Sequence, residues 1–129
     1  MTEQDSIYAQ KLMAFSIRIV KLTKFLKEQC NEHVMAKQIL RSGTSIGANH
    51  REAIYAETDL DFIHKLAISQ KECNETIYWL ELLFETRYIN KEQYDSLYCD
   101  AEEIMKMLTA SILTVKRRLK QSNNSSTKQ

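Results

Sequence analysis

The stretch RSGTSIGANHREA, residues 41–53, decides the fold of this chain, because it carries a helical core stripe through polar residues. Steps of three and four place Ile46 and Ala53 on the face of a helix that meets a core. The same steps place Ser42 and Asn49 on that face. A buried polar group costs about 1–3 kcal/mol when it is unpaired, so these two side chains require partners. The stretch therefore predicts a closely packed helix with specific polar contacts.

Both glycines of the protein, Gly43 and Gly47, lie one helical turn apart in this stretch. Each costs about 1 kcal/mol relative to alanine in a helix interior. The segment GTSIGAN is not a phosphate-binding loop, since it lacks the Lys-Ser/Thr ending and follows no predicted strand. The spacing instead predicts a face of small residues that another helix approaches closely.

The composition of the whole chain favours helices. Its 129 residues include no proline and only two glycines, so little material for tight turns is present. The length fits one domain with a single core. Three cysteines without a CxxC pair argue against a disulfide framework or a zinc ribbon. We expect Cys73 and Cys99 in or near the core.

Charge and hydropathy limit the partners of the chain. Eighteen basic and 17 acidic residues give a net charge of +1, so no overall field attracts nucleic acid or an anionic membrane. The start of the chain lacks the pattern of a secretory signal, and no apolar run reaches the roughly 18 residues that span a bilayer. We therefore expect a cytoplasmic protein without a membrane partner.

Four amphipathic segments follow one another along the chain. They predict helices at about residues 6–30, 33–57, 59–88 and 91–119. The capping residues are Asp5 with Ser6, Asn31, Thr58 with Asp61, and Asn90 with Gln93. Helices of similar length with short connections favour an all-α, antiparallel up-and-down four-helix bundle over residues 1–120. Residues 121–129 include no apolar residue and predict a disordered tail.

The third predicted helix is apolar on more than its core-facing side. Its additional apolar residues are Ile68, Tyr78, Trp79, Leu82 and Leu83. Because one core cannot bury all of them, and because Trp and Tyr are enriched in protein contacts, they predict self-association through this helix. The alternative is that the following tail or the preceding loop covers them.

A polar constellation spans the second and third predicted helices. Its members are Ser45, Asn49, Glu52, Lys71, Glu72 and Glu75. An antiparallel helix pair would bring these side chains together. Two interpretations stay open: a network that sets the register of the two helices, and a ligand site.

Basic residues cluster although the net charge is small. The candidate nucleic-acid-binding residues are Arg41, Arg51, Lys116, Arg117, Arg118 and Lys120. The cluster at the end of the fourth helix either complements the negative helix terminus or, repeated around a cyclic oligomer, binds phosphate. The sequence allows the two arginines of the second helix to face either the polar constellation or a ligand.

The sequence matches no template for enzymatic chemistry. A carboxylate-bridged metal site in a bundle requires two Glu-x-x-His units, and the chain offers one related spacing, Asp61 with His64. Ser42, Ser45 and Cys73 lie in no recognised nucleophile motif. We predict a protein that is not an enzyme and that has no metal site and no cofactor. A metal-dependent enzyme is the weakest of the hypotheses.

Two segments resemble a known family. The residues that carry the resemblance are Arg41, Ser45, Ile46, Asn49, Glu52 and Ala53, then Lys71, Glu72, Glu75, Trp79 and Leu80. They resemble the four-helix-bundle family named after proteins encoded in intervening sequences of 23S ribosomal RNA genes, over about residues 8–119. The resemblance implies a homopentameric ring. It also implies kinship with accessory proteins of diversity-generating retroelements, which are basic pentamers that bind nucleic acid and a reverse transcriptase.

The leading hypothesis is a non-enzymatic, homo-oligomeric helical scaffold, pentameric according to the resemblance. Its partners are further copies of itself and RNA or a nucleic-acid-processing protein. The alternative is a protein–protein interaction module without nucleic-acid binding. Binding to random RNA at low salt distinguishes these two hypotheses.

Overall fold

A computed structural model describes residues 2–127 of the protein, and four α-helices make up nearly all of this range. The helices are α1 (Glu3–Glu28), α2 (Val34–Ile54), α3 (Asp59–Glu85) and α4 (Lys91–Thr127). No strand occurs between residues 2 and 127. The predicted all-α four-helix bundle is therefore confirmed.

Consecutive helices pack against each other, α1 on α2, α2 on α3 and α3 on α4, whereas α1 and α4 meet more loosely. Each helix contributes large side chains to one core. The largest fully buried side chains include Phe15, Leu12, Ile19, Leu26, Ile39, Ile46, Leu66, Leu80, Leu83, Ile104 and Leu108. Burial of one such side chain stabilises the fold by about 1.5–3 kcal/mol, so these residues dominate its stability.

The last two helices begin where their capping residues predicted. The backbone N–H of Asp61 donates to Thr58 Oγ1 at 3.0 Å. Asn90 and Gln93 form a reciprocal capping box, with N–H to side-chain oxygen distances of 2.8 and 2.9 Å. These bonds satisfy backbone donors that have no partner in the first turn of a helix.

The first two helices begin differently from the prediction. A capping box between Thr2 and Asp5 starts α1 earlier than expected, with 3.0 Å bonds in both directions. Asn31 does not cap α2, because its backbone has a left-handed φ of 52°. Asn31 instead forms part of the turn, since asparagine tolerates this conformation. The backbone N–H of Met35 donates to a side-chain oxygen of Glu32.

The predicted tail requires a correction, because α4 continues through residues 121–127 as helix. Once a helix exists, each further residue adds a backbone hydrogen bond without a new nucleation cost. A polar segment can therefore extend a helix into solvent without facing a core. Residues 128 and 129 lie outside the described range. Asp59 pairs with Arg118 at 3.0 Å, so the turns of α4 after Arg118 extend past the start of α3.

The two glycines of α2 differ in their surroundings. A Cβ on Gly43 would lie 2.8 Å from Ile19 Cγ2, which is closer than carbon atoms approach in proteins. A Cβ on Gly47 would lie 3.5 Å from Leu12 Cβ, an ordinary van der Waals contact. Close helix approach is therefore confirmed at Gly43, where α1 fills the space of the absent side chain. Gly47 is not required by the packing.

Candidate functional site

Hydroxyl groups form the buried polar contacts between α2 and α3. The Oγ of Ser42 and the Oγ1 of Thr76 lie 2.9 Å apart, and both residues are fully buried. Ser69 Oγ donates to the carbonyl oxygen of Ile46 at 2.6 Å. The sequence predicted that Ser42 needs a partner but did not identify Thr76. The spacing along α3 could have identified these hydroxyl groups. Ser69 lies four residues before Cys73 and Thr76 lies three residues after it, so both fall on the core-facing stripe.

Arg41 lies at the centre of the polar surface that α2 and α3 share. Its guanidinium contacts Glu72 at 3.2 Å and also contacts Glu75. Glu75 accepts a further hydrogen bond from Trp79 Nε1 at 3.4 Å. Arg41 is one of the nucleic-acid-binding candidates from the sequence, but two carboxylates offset its charge. Arg41 therefore belongs to the network between the two helices.

The other members of the predicted network do not join it. Ser45 Oγ and Asn49 Nδ2 each donate to a carbonyl oxygen one turn earlier in α2, at 2.7 and 2.9 Å. Glu52 pairs with Lys65 at 3.2 Å, not with Lys71. Lys71 is exposed and forms no ion pair with the residues that the structure describes. The structure thus joins α2 and α3 at two separate sets of ion pairs, Arg41 with Glu72 and Glu75, and Glu52 with Lys65.

The predicted interface on α3 is only partly a surface. Leu83 is fully buried in the core, because it continues the stripe through Thr76 and Leu80. Tyr78 is 56% exposed and packs edge-on against Trp79, with 5.2 Å between ring centroids. Ile68, Trp79 and Leu82 are half-buried. The exposed part of the patch is therefore centred on Tyr78.

A second apolar surface, on α1, was not predicted. Met13 and Ile17 are each 48% exposed, and Val20 is 37% exposed. Lys21 and Lys24 are exposed beside them, and neither pairs with an acidic group among residues 2–127. The sequence contains the evidence for this surface. Met13, Ile17 and Val20 are four and three residues apart, which places them together on the side of the helix opposite its core stripe. This basic and apolar strip is called the α1 strip below.

The basic candidates at the bundle end separate into two groups. Arg118 is paired with Asp59, so part of its charge is offset. The other four candidates, Arg51, Lys116, Arg117 and Lys120, are exposed and without an ion pair to any described residue. These four remain available to a negatively charged partner.

Groups suited to metal or thiol chemistry lie apart from each other. Residues 2–127 include no cluster of three or more His, Cys, Asp or Glu side chains that could hold a metal ion. Burial raises the pKa of the Cys73 thiol to about 11, so the thiol is protonated near neutral pH. Cys73 is in the core as predicted, but Cys99 is exposed on α4. Within the same range, no helix has the length and apolar character needed to cross a membrane.

Comparison with known proteins identifies the family. The family model of the 23S rRNA-intervening sequence protein matches residues 4–110, which include most of all four helices. This chain belongs to that family. The 23S rRNA-intervening sequence family is the one that the residues around Arg41 and Glu72 indicated, so the resemblance is confirmed. No match to a curated protein was found.

The solved structure of a related protein has a similar fold. It is the crystal structure of a protein with unknown function from the S23 ribosomal protein family of Bacteroides thetaiotaomicron VPI-5482. The two chains are 55% identical, with a TM-score of 0.83. The alignment covers 84% of this family member and 97% of the Bacteroides chain. The bundle architecture is thus shared with an experimentally determined relative.

Proposed function

We propose that this protein is a non-enzymatic cytoplasmic scaffold that assembles with copies of itself into a closed ring and presents basic residues to RNA. One observation carries the assembly part. The α1 strip and the exposed face of α3 around Tyr78 have opposite charges at the same level of the bundle.

Contacts across α2 define this level. Ile19 of α1 packs against Gly43 of α2. The preceding residue, Ser42, contacts Thr76 of α3. Ile19 and Thr76 therefore lie at about the same height. Because α1 and α3 run in the same direction in an up-and-down bundle, equal steps from these two residues reach equal heights.

The steps bring one lysine of α1 level with an acidic residue of α3. Lys24 lies five residues after Ile19, and Glu81 lies five residues after Thr76. Lys21 is level with Tyr78 in the same way. All four of these outward side chains are exposed. When the α1 strip of one copy packs on the α3 face of the next, apolar contacts are accompanied by Lys24–Glu81 pairing.

A contact between two different faces of the same chain is heterologous, and such contacts form either rings or open filaments. α1 and α3 occupy diagonal positions in the bundle, so their outer faces can each meet a different neighbouring copy. Pairing at equal height adds no translation along the bundle axis from one copy to the next, which a closed ring requires. The family resemblance supports the ring and its five copies.

Charge reversal tests the assembly. We expect Lys24→Glu and Glu81→Lys each to weaken self-association by about tenfold or more, because each places like charges opposite each other. The double variant restores the pair and should restore assembly. Sedimentation velocity at micromolar concentration measures all three. Lys116→Glu is the matched control, since it makes the same charge change away from both faces. A wild-type monomer, or a double variant as weak as the single ones, would contradict the proposed interface.

The RNA part is supported by the four exposed cations, which a ring repeats once per copy. We expect random-sequence RNA to bind at low salt and to dissociate as salt rises, because phosphate contacts release counterions. Combined replacement of Lys116, Arg117 and Lys120 by glutamine should lower the salt dependence, by about 0.7 in logarithmic slope per lost contact. Lys106→Gln is the control, because Lys106 is exposed but is not one of the four cations, and its replacement should leave the salt dependence unchanged. Absence of binding at low salt would favour the protein–protein interaction module instead.

A further inference from the structure

A groove lies on the outer side of the bundle between the first half of α1 and the second half of α2. Its volume is about 610 Å³. Met13 and Tyr55 line its sides, and Tyr55 is 74% exposed. Gly47 lies at its base, where the two helices are close together. The groove is separate from the Lys21 and Lys24 region of the α1 strip, which lies further along α1.

His50 lines this groove and has an unusual environment. Only 5% of the residue is exposed, yet it makes no hydrogen bond with any residue that the structure describes. The described range has no sealed side-chain nitrogen or oxygen without a partner, so the ring nitrogens of His50 are not sealed within the core, and the residue lines the groove. The ring of Tyr8 packs edge-on behind it, at 6.5 Å between centroids. The imidazole can therefore bond a molecule in the groove.

The charge state of His50 follows from the groups around it. Burial lowers the pKa of His50, and this effect exceeds the opposing influence of Asp5. A neutral imidazole has one hydrogen-bond donor and one acceptor. Arg51, the next residue, also lines the groove and is exposed without an ion pair to a described residue. Glu52 also lines the groove but pairs with Lys65, so the groove combines a neutral hydrogen-bonding ring with an unpaired positive charge.

Tyr55, the C-cap residue of α2, lies four residues after Arg51, and it also lines the groove and completes this set. An exposed aromatic face, a neutral donor and acceptor, and a guanidinium complement a ligand that is planar, hydrogen-bonding and anionic at one end. A nucleobase with its phosphate has these three properties. An apolar helix of a partner protein would offer no group to hydrogen-bond with His50 and no negative charge to pair with Arg51.

We propose that this groove binds one unpaired nucleotide, with the base stacked on Tyr55 and bonded at its edge by His50, and with the phosphate on Arg51. The proposal rests on the RNA part of the proposed function and specifies it. A base held in a duplex cannot enter a groove between two helices, so the RNA is single-stranded at this point. Base stacking on an aromatic side chain is a common mode of single-strand binding.

The test uses the full chain and the four nucleoside monophosphates, added one at a time and followed by the NMR signals of the His50 ring. We expect at least one of them to shift these signals saturably, and its nucleoside or inorganic phosphate alone to bind more weakly. Tyr55→Ala and Arg51→Gln should each weaken binding by about tenfold. Tyr55→Phe should retain it. The matched controls Tyr98→Ala and Arg87→Gln, which lie outside the groove, should bind as the wild type does.

Other results would overturn the proposal. One is that no nucleoside monophosphate moves the His50 signals at millimolar concentration. Another is that these signals depend on protein concentration alone, which would place a second copy in the groove. If random RNA binds and Tyr55→Ala leaves that binding unchanged, the groove proposal fails while the RNA function stands. If a monophosphate shifts His50 but RNA does not bind, the groove proposal stands and the RNA function fails.

Discussion

Replacing Leu83 with alanine is expected to lower the free energy of unfolding by about 2–5 kcal/mol. Leu83 is fully buried in the core cluster, so the shorter side chain removes apolar contacts and leaves a cavity. Urea unfolding followed by circular dichroism measures the change. The matched control is Leu82→Ala, because Leu82 is adjacent in sequence but half-buried. We expect the control to cost about 1 kcal/mol or less, in proportion to its smaller buried area.

This comparison distinguishes the structure from the sequence pattern. The pattern predicted Leu82 and Leu83 together as an oligomer interface. If Leu83→Ala dissociated the assembly and left the stability of the monomer unchanged, Leu83 would lie on the surface and the core described above would be wrong. Equal destabilisation by both variants would also contradict it.

Replacing Gly43 with alanine is expected to destabilise the protein by about 1–3 kcal/mol, the usual cost of overpacking a core. The new Cβ would lie 2.8 and 2.9 Å from two carbons of Ile19, which is itself fully buried. Gly47→Ala is the matched control. Its Cβ meets ordinary contact distances, so the higher helix propensity of alanine should stabilise the protein by up to about 1 kcal/mol. Thermal unfolding of both variants measures the difference.

The opposite signs are the essential part of this prediction. If both substitutions stabilised the protein, α1 would be able to move away from α2 without loss of packing. In that case the glycine at position 43 would reflect something other than the close approach of Ile19.

The interface and the groove share Met13 of α1 but differ in their charged residues. The charged part of the proposed ring contact is Lys21 and Lys24, neither of which lines the groove. Charge reversal at Lys24 should therefore leave the His50 signals responsive to nucleotide. Assembly and nucleotide binding can be measured independently on the same set of variants.

Local features of the chain were predictable from its sequence. The starts of α3 and α4 follow from Thr58 and Asn90, because a capping bond joins residues only three positions apart. The core position of Ser42 follows from helical periodicity. The polar residues 121–127 predicted too early an end for α4, because the absence of a core-facing stripe does not by itself end an existing helix.

The partners of the polar residues were not predictable to the same extent. Glu52 pairs with Lys65, and Arg41 pairs with Glu72. All four residue types and the antiparallel arrangement were apparent in the sequence. The choice of partner depends on the rotation and height of α2 relative to α3, which hydrophobic periodicity does not specify.

The sequence by itself determined the number of helices, their order, most of the core-facing stripes and the family, because these depend on local periodicity, capping and residue identity. Only the tertiary structure decided that Leu83 is core while Tyr78 is surface, that Gly43 is required while Gly47 is not, and that His50 opens onto a groove. Neighbouring residues on a helix differ by about 100° in direction, so small rotations of packed helices separate buried side chains from exposed ones.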